Sequence, residues 1–174
     1  MGEHIFLRRQ DALRQKLSEQ NLDGILSSNL TNIRYLCGFT GSAASCLIIP
    51  DEAYFISDDR YEIQSKQQVK GLKRFIDFGS HLKIIKDNNL IPNGLKVAFE
   101  GDHISANSYK KLSESFPNVH WESTSMILEQ MQAVKDDTEL EAIRTAVKIT
   151  DAIYTEILPM LRVGVTEKEI ATHL

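Results

Sequence analysis

The pattern of apolar residues changes near residue 125, and this change constrains the fold more than any other feature of the chain. Before that point, short apolar runs of strand character alternate with segments at helical spacing. After it, only helical spacing remains. The alternating part predicts an α/β domain, a mixed β-sheet flanked by helices. The purely helical part indicates the start of a different unit.

Two neighbouring apolar runs predict the middle of the sheet. Residues 46–49 are uninterruptedly apolar, which is typical of a strand buried on both faces. Residues 53–56 form the second run, and the Pro-Asp-Glu segment between the two runs favours a tight turn. The pair therefore predicts a β-hairpin.

The same rules predict the other elements of this domain. Strands are expected at residues 24–26, 74–78, 96–99 and 119–121, and helices at residues 5–20, 59–69, 81–89 and 104–116. Residues 27–42 are mostly polar and contain Gly38 and Gly41, so we expect a long ordered loop there. Ordered loops of that length tend to be functional.

Two helix starts are expected in the last part of the chain. Thr138 with Glu141, and Thr166 with Glu169, have the spacing of capping boxes. Pro159 should end the first of these helices, because proline has no N–H to donate to the preceding turn.

The first of these helices carries an apolar stripe that needs a partner surface, yet few residues remain to supply one. The stripe consists of Leu140, Ile143, Val147, Tyr154 and Ile157. We therefore predict a first domain at residues 1–132 and the incomplete start of a second domain at residues 133–174.

Composition excludes several classes of protein. The chain is 42% apolar and 25% charged, as in folded globular proteins, and its net charge of −4 argues against nucleic-acid binding. The apolar residues 5–7 are too few for the core of a signal peptide, so we expect none, and no apolar stretch reaches membrane-spanning length. Cys37 and Cys46 are too few for a disulfide framework and fit a reducing compartment. We expect a cytoplasmic protein with no nucleic-acid or membrane partner.

No complete catalytic or metal-binding motif occurs in the sequence. The five histidines are far apart, and no His-x-x-x-His or Cys-x-x-Cys pair is present. Glu100, Asp102 and His103 form a ligand-like cluster, but Asp102 is better explained as the cap of the following helix. We expect no catalytic residue and no metal ligand in this chain.

The predicted loop does offer recognition chemistry. Arg34 could pair with a carboxylate, and the rings of Tyr35 and Phe39, next to Thr40, could contact an apolar ring such as that of proline. The alternative is that both rings pack under the sheet while Arg34 bonds local carbonyl groups. The residues alone favour this alternative.

Several segments, in order along the chain, resemble the bacterial Xaa-Pro aminopeptidases and prolidases, which are creatinase-like, pita-bread metallopeptidases. Residues 32–42 are similar to the family segment Arg-Tyr-Leu-Thr-Gly-Phe-Thr-Gly, with Cys37 where Thr is usual. Residues 57–64 resemble Thr-Asp-x-Arg-Tyr-x-x-Gln. Residues 135–146 and 164–167 resemble the entry to the catalytic domain, although Gln132 and Val163 replace the usual Arg and Pro.

The resemblance implies a creatinase/prolidase-like N-terminal domain that precedes a pita-bread catalytic domain. It implies cleavage of the Xaa-Pro bond at the N-termini of proline-containing peptides. It also implies a homodimer or higher homo-oligomer. Two divalent metal ions, with manganese expected, would be bound by residues beyond this sequence, so the piece alone should be inactive.

The resemblance also suggests roles for individual residues. Loops of this domain can border a neighbouring subunit's active site, which makes Arg34, Tyr35, Phe39 and Thr40 substrate-gate candidates. The residues of the second motif, Asp58, Arg60 and Tyr61, are interpreted as structural. Asp58 is expected to cap the helix that follows the hairpin. Two alternatives remain, a non-enzymatic protein-binding module of the same fold and a creatinase-like amidinohydrolase.

Overall fold

A computed structural model of the chain describes residues 2–173. The backbone divides into two compact units, and the division lies between Gln132 and Ala133. The first unit contains strands and helices, whereas the second contains helices and turns within the part that is described. That the second unit begins a catalytic domain stays a prediction.

The first unit contains six strands and most of the helices. The strands are β1 (Gly24–Ser27), β2 (Ser45–Ile48), β3 (Ala53–Ser57), β4 (Lys73–Ile76), β5 (Lys96–Glu100) and β6 (His120–Thr124). The helices are α1 (Gly2–Glu19), α2 (Leu30–Cys37), α3 (Glu62–Gln68), α4 (His81–Asp87), α5 (Ala106–Ser115) and α6 (Ile127–Ala133), which ends at the division. A 3-10 turn at Asp59–Tyr61 leads into α3.

All six strands form one mixed sheet in the order β4-β3-β2-β1-β5-β6. Only β2 runs antiparallel to its neighbours; the other pairs are parallel. The predicted hairpin is confirmed, because Cys46 pairs with Phe55 and Ile48 pairs with Ala53. Its turn is closed by the Ile49 N–H, which donates to the Glu52 carbonyl at 3.0 Å.

Helices cover both faces of the sheet, which explains the uninterrupted apolar run in β2. On one face, Cys46 and Ile48 pack with residues of α1, α2 and α6. On the other face, Leu47 packs with residues of α4 and α5. Successive strand residues point to opposite faces, so a strand covered on both sides must be apolar throughout.

The predicted loop at residues 27–42 is wrong over its middle part, because residues 30–37 form α2. The Asn29 side chain caps this helix by accepting from the Thr31 N–H at 3.0 Å. Gly38, at φ +83°, ends it with an N–H bond to the Arg34 carbonyl. Ile33 and Leu36 are fully buried at a spacing of three, a short signal that the surrounding polar residues obscured.

The second unit contains α7 (Asp137–Ile157), a 3-10 turn at Leu158–Met160, and α8 (Glu167–His173). The capping box predicted at Thr138 is wrong: the Asp136 carboxylate accepts from the Thr138 and Glu139 N–H groups, both at 3.0 Å. Both Asp136 and Thr138 have a glutamate three residues later, and the helix uses the first pair. The box at Thr166 is confirmed.

The predicted stripe along α7 is exposed. Leu140 is 37% exposed and Tyr154 is 64% exposed.

Within residues 2–173, no helix combines the length and apolar character that a bilayer-spanning segment requires.

Candidate functional site

The carboxyl ends of β1 and β5 define the place where a site can form. These neighbouring strands are parallel. The chain leaves β1 for α2 on one face of the sheet and leaves β5 for α5 on the other face. Such a change of direction opens a crevice at the strand ends, where α/β proteins commonly place their sites.

Glu100, the last residue of β5, fills part of this crevice and holds the start of α2. Its carboxylate accepts hydrogen bonds from Ser27 Oγ at 2.8 Å, Ser28 N at 3.0 Å, Asn29 N at 3.1 Å and Asn32 Nδ2 at 2.6 Å. A carboxylate with four donors is a strong anchor, because charge-assisted hydrogen bonds are about twice as strong as neutral ones. Glu100 therefore has a structural role here.

Asn32 extends this anchor to α6. It is 1% exposed, and its Nδ2 also donates to Glu129 Oε1 at 2.8 Å. Its Oδ1 accepts from Gln132 Nε2. We call Glu100, Asn32, Glu129 and Gln132 the anchor network. Local sequence patterns did not predict this network, and the only signal was that Asn32 lies in a segment that resembles the family.

The other members of the predicted ligand-like cluster lie on the surface. Asp102 and His103 are exposed. The prediction that Asp102 caps α5 is wrong, because Ser105 Oγ accepts from the Ser108 N–H at 3.1 Å. Within residues 2–173, no group of three or more His, Cys, Asp or Glu side chains is arranged to hold a metal ion. The residues described here therefore do not fit a metal site.

The first two gate candidates lie side by side on α2 in different surroundings. Arg34 is exposed, and its guanidinium has no hydrogen-bonding or ionic partner within residues 2–173. Tyr35 is half-buried, and the guanidinium of Arg9 lies 4.1 Å from the centre of its ring. Arg9 Nη1 also donates to the Tyr35 carbonyl at 2.9 Å. Arg34 is thus available to a ligand, whereas Tyr35 packs against Arg9.

The other two gate candidates follow the end of α2. Phe39 is 1% exposed and meets the rings of Phe55 and Tyr61 edge-on, with centroids at 4.7 and 5.3 Å. Thr40 is exposed, but its N–H and Oγ1 both bond Gln68 Oε1, at 2.9 and 3.1 Å. The ring of Phe39 belongs to the core, as the alternative interpretation of this segment expected.

Tyr61 connects this segment to α3. Its hydroxyl lies 2.7 Å from Ser42 Oγ and accepts from Ser42 N at 3.2 Å, and these bonds lower its pKa. A Cβ on Gly41 would lie 2.3 Å from the Phe39 ring and 2.6 Å from the Tyr61 ring. Only glycine therefore fits between the two rings. We call residues 39–42, with Tyr61 and Gln68, the aromatic clamp.

Asp58 and Arg60 lie at the start of the 3-10 turn. Asp58 caps the turn by accepting from the Arg60 N–H at 3.2 Å. The Arg60 side chain returns to the same carboxylate through Nε and Nη2, both at 2.8 Å. This fork holds the pKa of Asp58 below its usual value. Arg60 is exposed and Asp58 is partly buried. Their bonds are local, so the pair shapes the turn that positions Tyr61.

Residues 9–134 match the sequence family described as Creatinase/Prolidase N-terminal domain. The chain belongs to this family. The predicted family and the predicted α/β fold are both confirmed. The matched region ends close to the division between Gln132 and Ala133.

Individual members of the family are similar along most of this chain. The uncharacterized peptidase YqhT of Bacillus subtilis is 31% identical over 165 residues, which are 94% of this chain and 46% of YqhT. The Xaa-Pro dipeptidase from Bacillus anthracis superposes with a TM-score of 0.86 at 31% identity, over 96% of this chain and 47% of that one. This chain therefore spans under half the length of these two relatives.

Solved structures of isolated N-terminal domains also match this chain. One of them is that of the cytoplasmic peptidase PepQ from Mycobacterium tuberculosis H37Rv, with a TM-score of 0.64 and 27% identity. The match covers 71% of this chain and 97% of that domain.

Proposed function

We propose that the creatinase/prolidase N-terminal domain in this chain assembles and gates a metal-dependent peptidase that cleaves the Xaa-Pro bond at peptide N-termini. The similarity to the Bacillus anthracis Xaa-Pro dipeptidase supports the substrate class. The observation that carries the gating role is the position of Arg34. It is an exposed cation without a partner within residues 2–173, on a helix that Glu100 and Asn32 hold in place.

A rigid helix is a suitable support for a recognition residue. A guanidinium can bond both oxygens of a peptide carboxylate, provided that its backbone is held in a fixed place. The anchor network supplies that rigidity at the start of α2. The aromatic clamp supplies it at the end, where the buried Phe39 supports the segment that carries Thr40. Tyr35, the neighbour of Arg34 on α2, is half-buried and packs against Arg9, which adds to the rigidity of the helix.

The gate is proposed to act between subunits, in a homodimer or higher homo-oligomer located in the cytoplasm. Residues 133–174 are proposed to begin the pita-bread catalytic domain. Residues outside this sequence would bind two divalent metal ions, with manganese expected, that activate the attacking water. The matched relatives are about twice as long as this chain, which supports a further domain beyond the N-terminal one. The 174-residue piece alone should then show no peptidase activity.

The gating role is tested by Arg34→Ala in the full-length enzyme. We expect KM for an Xaa-Pro peptide to rise about tenfold, because one charge-assisted contact to the substrate is lost. The value of kcat and the bound metal content should stay the same, since the substitution removes binding and leaves the chemistry intact. Lys86→Ala, an exposed cation on α4, is the matched control and should leave KM unchanged.

Two results of this experiment would count against the gate. An unchanged KM for Arg34→Ala would remove Arg34 from substrate recognition. An equal rise in KM for Lys86→Ala would show that the general surface charge is responsible. Activity on a peptide without proline at the second position would contradict the substrate class itself.

A further inference from the structure

A cleft of about 500 Å³ opens where α4 and α5 begin, on the face of the sheet opposite α2. It lies at the carboxyl ends of β1 and β5, and the first residues of α4 and the connection before α5 form its sides. Its volume is typical of pockets that bind small molecules. A neighbouring hollow shares Ser28, Ser45, His81 and His103 with it, so the two form one continuous depression.

The lining of the cleft has an apolar part and a polar part. The apolar part consists of Leu26, Phe99 and Leu112, which are less than 9% exposed, together with the partly buried Leu82 and Ile104. The polar part consists of serine hydroxyls and two imidazoles, from Ser28, Ser45, Ser80, His81, His103, Ser105 and Ser108. An apolar surface with a few converging polar groups is the usual composition of a small-molecule site.

Several hydrogen-bonding atoms of the polar part are not used inside the domain. His81 Nδ1 lies 2.9 Å from Ser45 Oγ, which fixes the orientation of the ring. His81 Nε2, Ser28 Oγ and both ring nitrogens of His103 make no hydrogen bond to any residue between 2 and 173. Burial lowers the pKa of His81, so at neutral pH its ring offers one donor and one acceptor.

The charge of the lining restricts the ligand further. Of the described residues that line the cleft, none is Asp, Glu, Lys or Arg. A charged ligand that entered would lose hydration without meeting a Lys, Arg, Asp or Glu side chain in the lining, which is unfavourable. The lining is therefore suited to a ligand that is polar but uncharged.

We propose that this cleft binds a small uncharged ligand in which an apolar ring is joined to amide or hydroxyl groups. The ring packs on Leu26, Phe99 and Leu112. The polar groups bond Ser28, His81 and His103. This site is separate from the proposed gate, because Arg34 does not line the cleft.

The proposal is tested on this chain alone by NMR titration with N-acetylphenylalanine amide, a neutral probe with one ring and two amides. We expect saturable shifts at residues of the cleft, with a Kd of about 1 mM for a ligand of about fifteen non-hydrogen atoms. N-acetylphenylalanine, which carries a carboxylate in place of the terminal amide, should bind at least about fivefold more weakly.

A matched pair of variants locates the binding. Ser108→Trp fills the cleft from an exposed position on α5 and should abolish saturable binding. Asn107→Trp places the same side chain on the preceding residue, which lines no part of the cleft. This variant should bind the probe like the wild type. The thermal stability of both variants shows that they are folded. Absence of saturable binding in the wild type, unaltered binding by Ser108→Trp, or equal binding of amide and carboxylate would overturn the proposal.

Discussion

The two ends of α2 are held by different kinds of interaction. At its start, the anchor network is polar: the Glu100 carboxylate accepts hydrogen bonds from the N–H groups of Ser28 and Asn29 and from the buried amide of Asn32. After its end, the aromatic clamp relies on the packing of Phe39 against Phe55 and on neutral hydrogen bonds. The start of α2 therefore depends on hydrogen bonds to buried polar groups, and the segment after its end depends on close packing of rings.

This difference indicates how each end should respond to substitution. Removing one member of a buried polar network costs free energy because its partners stay buried without a bond. Removing a packed ring costs free energy because a cavity remains. If the two ends are independent, substitutions at one end should leave the other end intact.

The largest expected effect is at the aromatic clamp. Phe39→Ala should lower the free energy of unfolding by about 4 kcal/mol, because it empties the space between Phe55 and Tyr61. Phe39→Leu keeps most of the volume and should cost only about 1 kcal/mol. Urea denaturation of this chain measures both. Equal costs for the two variants would show that the contribution of Phe39 does not come from filling space.

The next effect is at the anchor network. Asn32→Ala should lower the free energy of unfolding by about 3 kcal/mol, because Glu129 and Gln132 lose their partner while Asn32 is only 1% exposed. Asn107→Ala, an exposed asparagine on α5, is the control and should change it by less than about 0.5 kcal/mol. Similar values for the two variants would contradict the network's role.

A smaller effect tests the close contact inside the clamp. Gly41→Ala should cost about 2 kcal/mol, since the new methyl group overlaps the ring of Phe39. The double variant Gly41→Ala/Phe39→Leu should cost less than the sum of the single variants, because leucine makes room. Strict additivity in urea denaturation would mean that the two positions do not touch.

Local sequence signals predicted much of the fold. The hairpin of β2 and β3 depends on two apolar runs and the turn between them, which lie within a dozen residues. The amphipathic spacing of α1 is local in the same way. These elements were predictable because neighbours in sequence determine them. The predicted cap of α7 was wrong for a related reason. The capping boxes that begin at Asp136 and at Thr138 overlap, and the local pattern is compatible with both.

The candidate site was predictable only in part. Arg34 and Phe39 lie in one segment, and no local rule distinguishes the exposed cation from the buried ring. The burial of Phe39 depends on Phe55, a residue of β3. The bonds from Asn32 to Glu100 and Glu129 span 68 and 97 positions in the sequence. Contacts at such separations arise from the order of the strands, which the sequence pattern does not specify.

Amide hydrogen exchange in the Glu100→Gln variant tests most directly whether the two ends of α2 are stabilised independently. The variant removes the charge that accepts from the Ser28 and Asn29 N–H groups, while the Thr40 N–H still bonds Gln68. We predict that exchange at Ser28 and Asn29 becomes at least about tenfold faster while Thr40 is unchanged. Unchanged exchange at Ser28 and Asn29, or an equal increase at Thr40, would contradict the account.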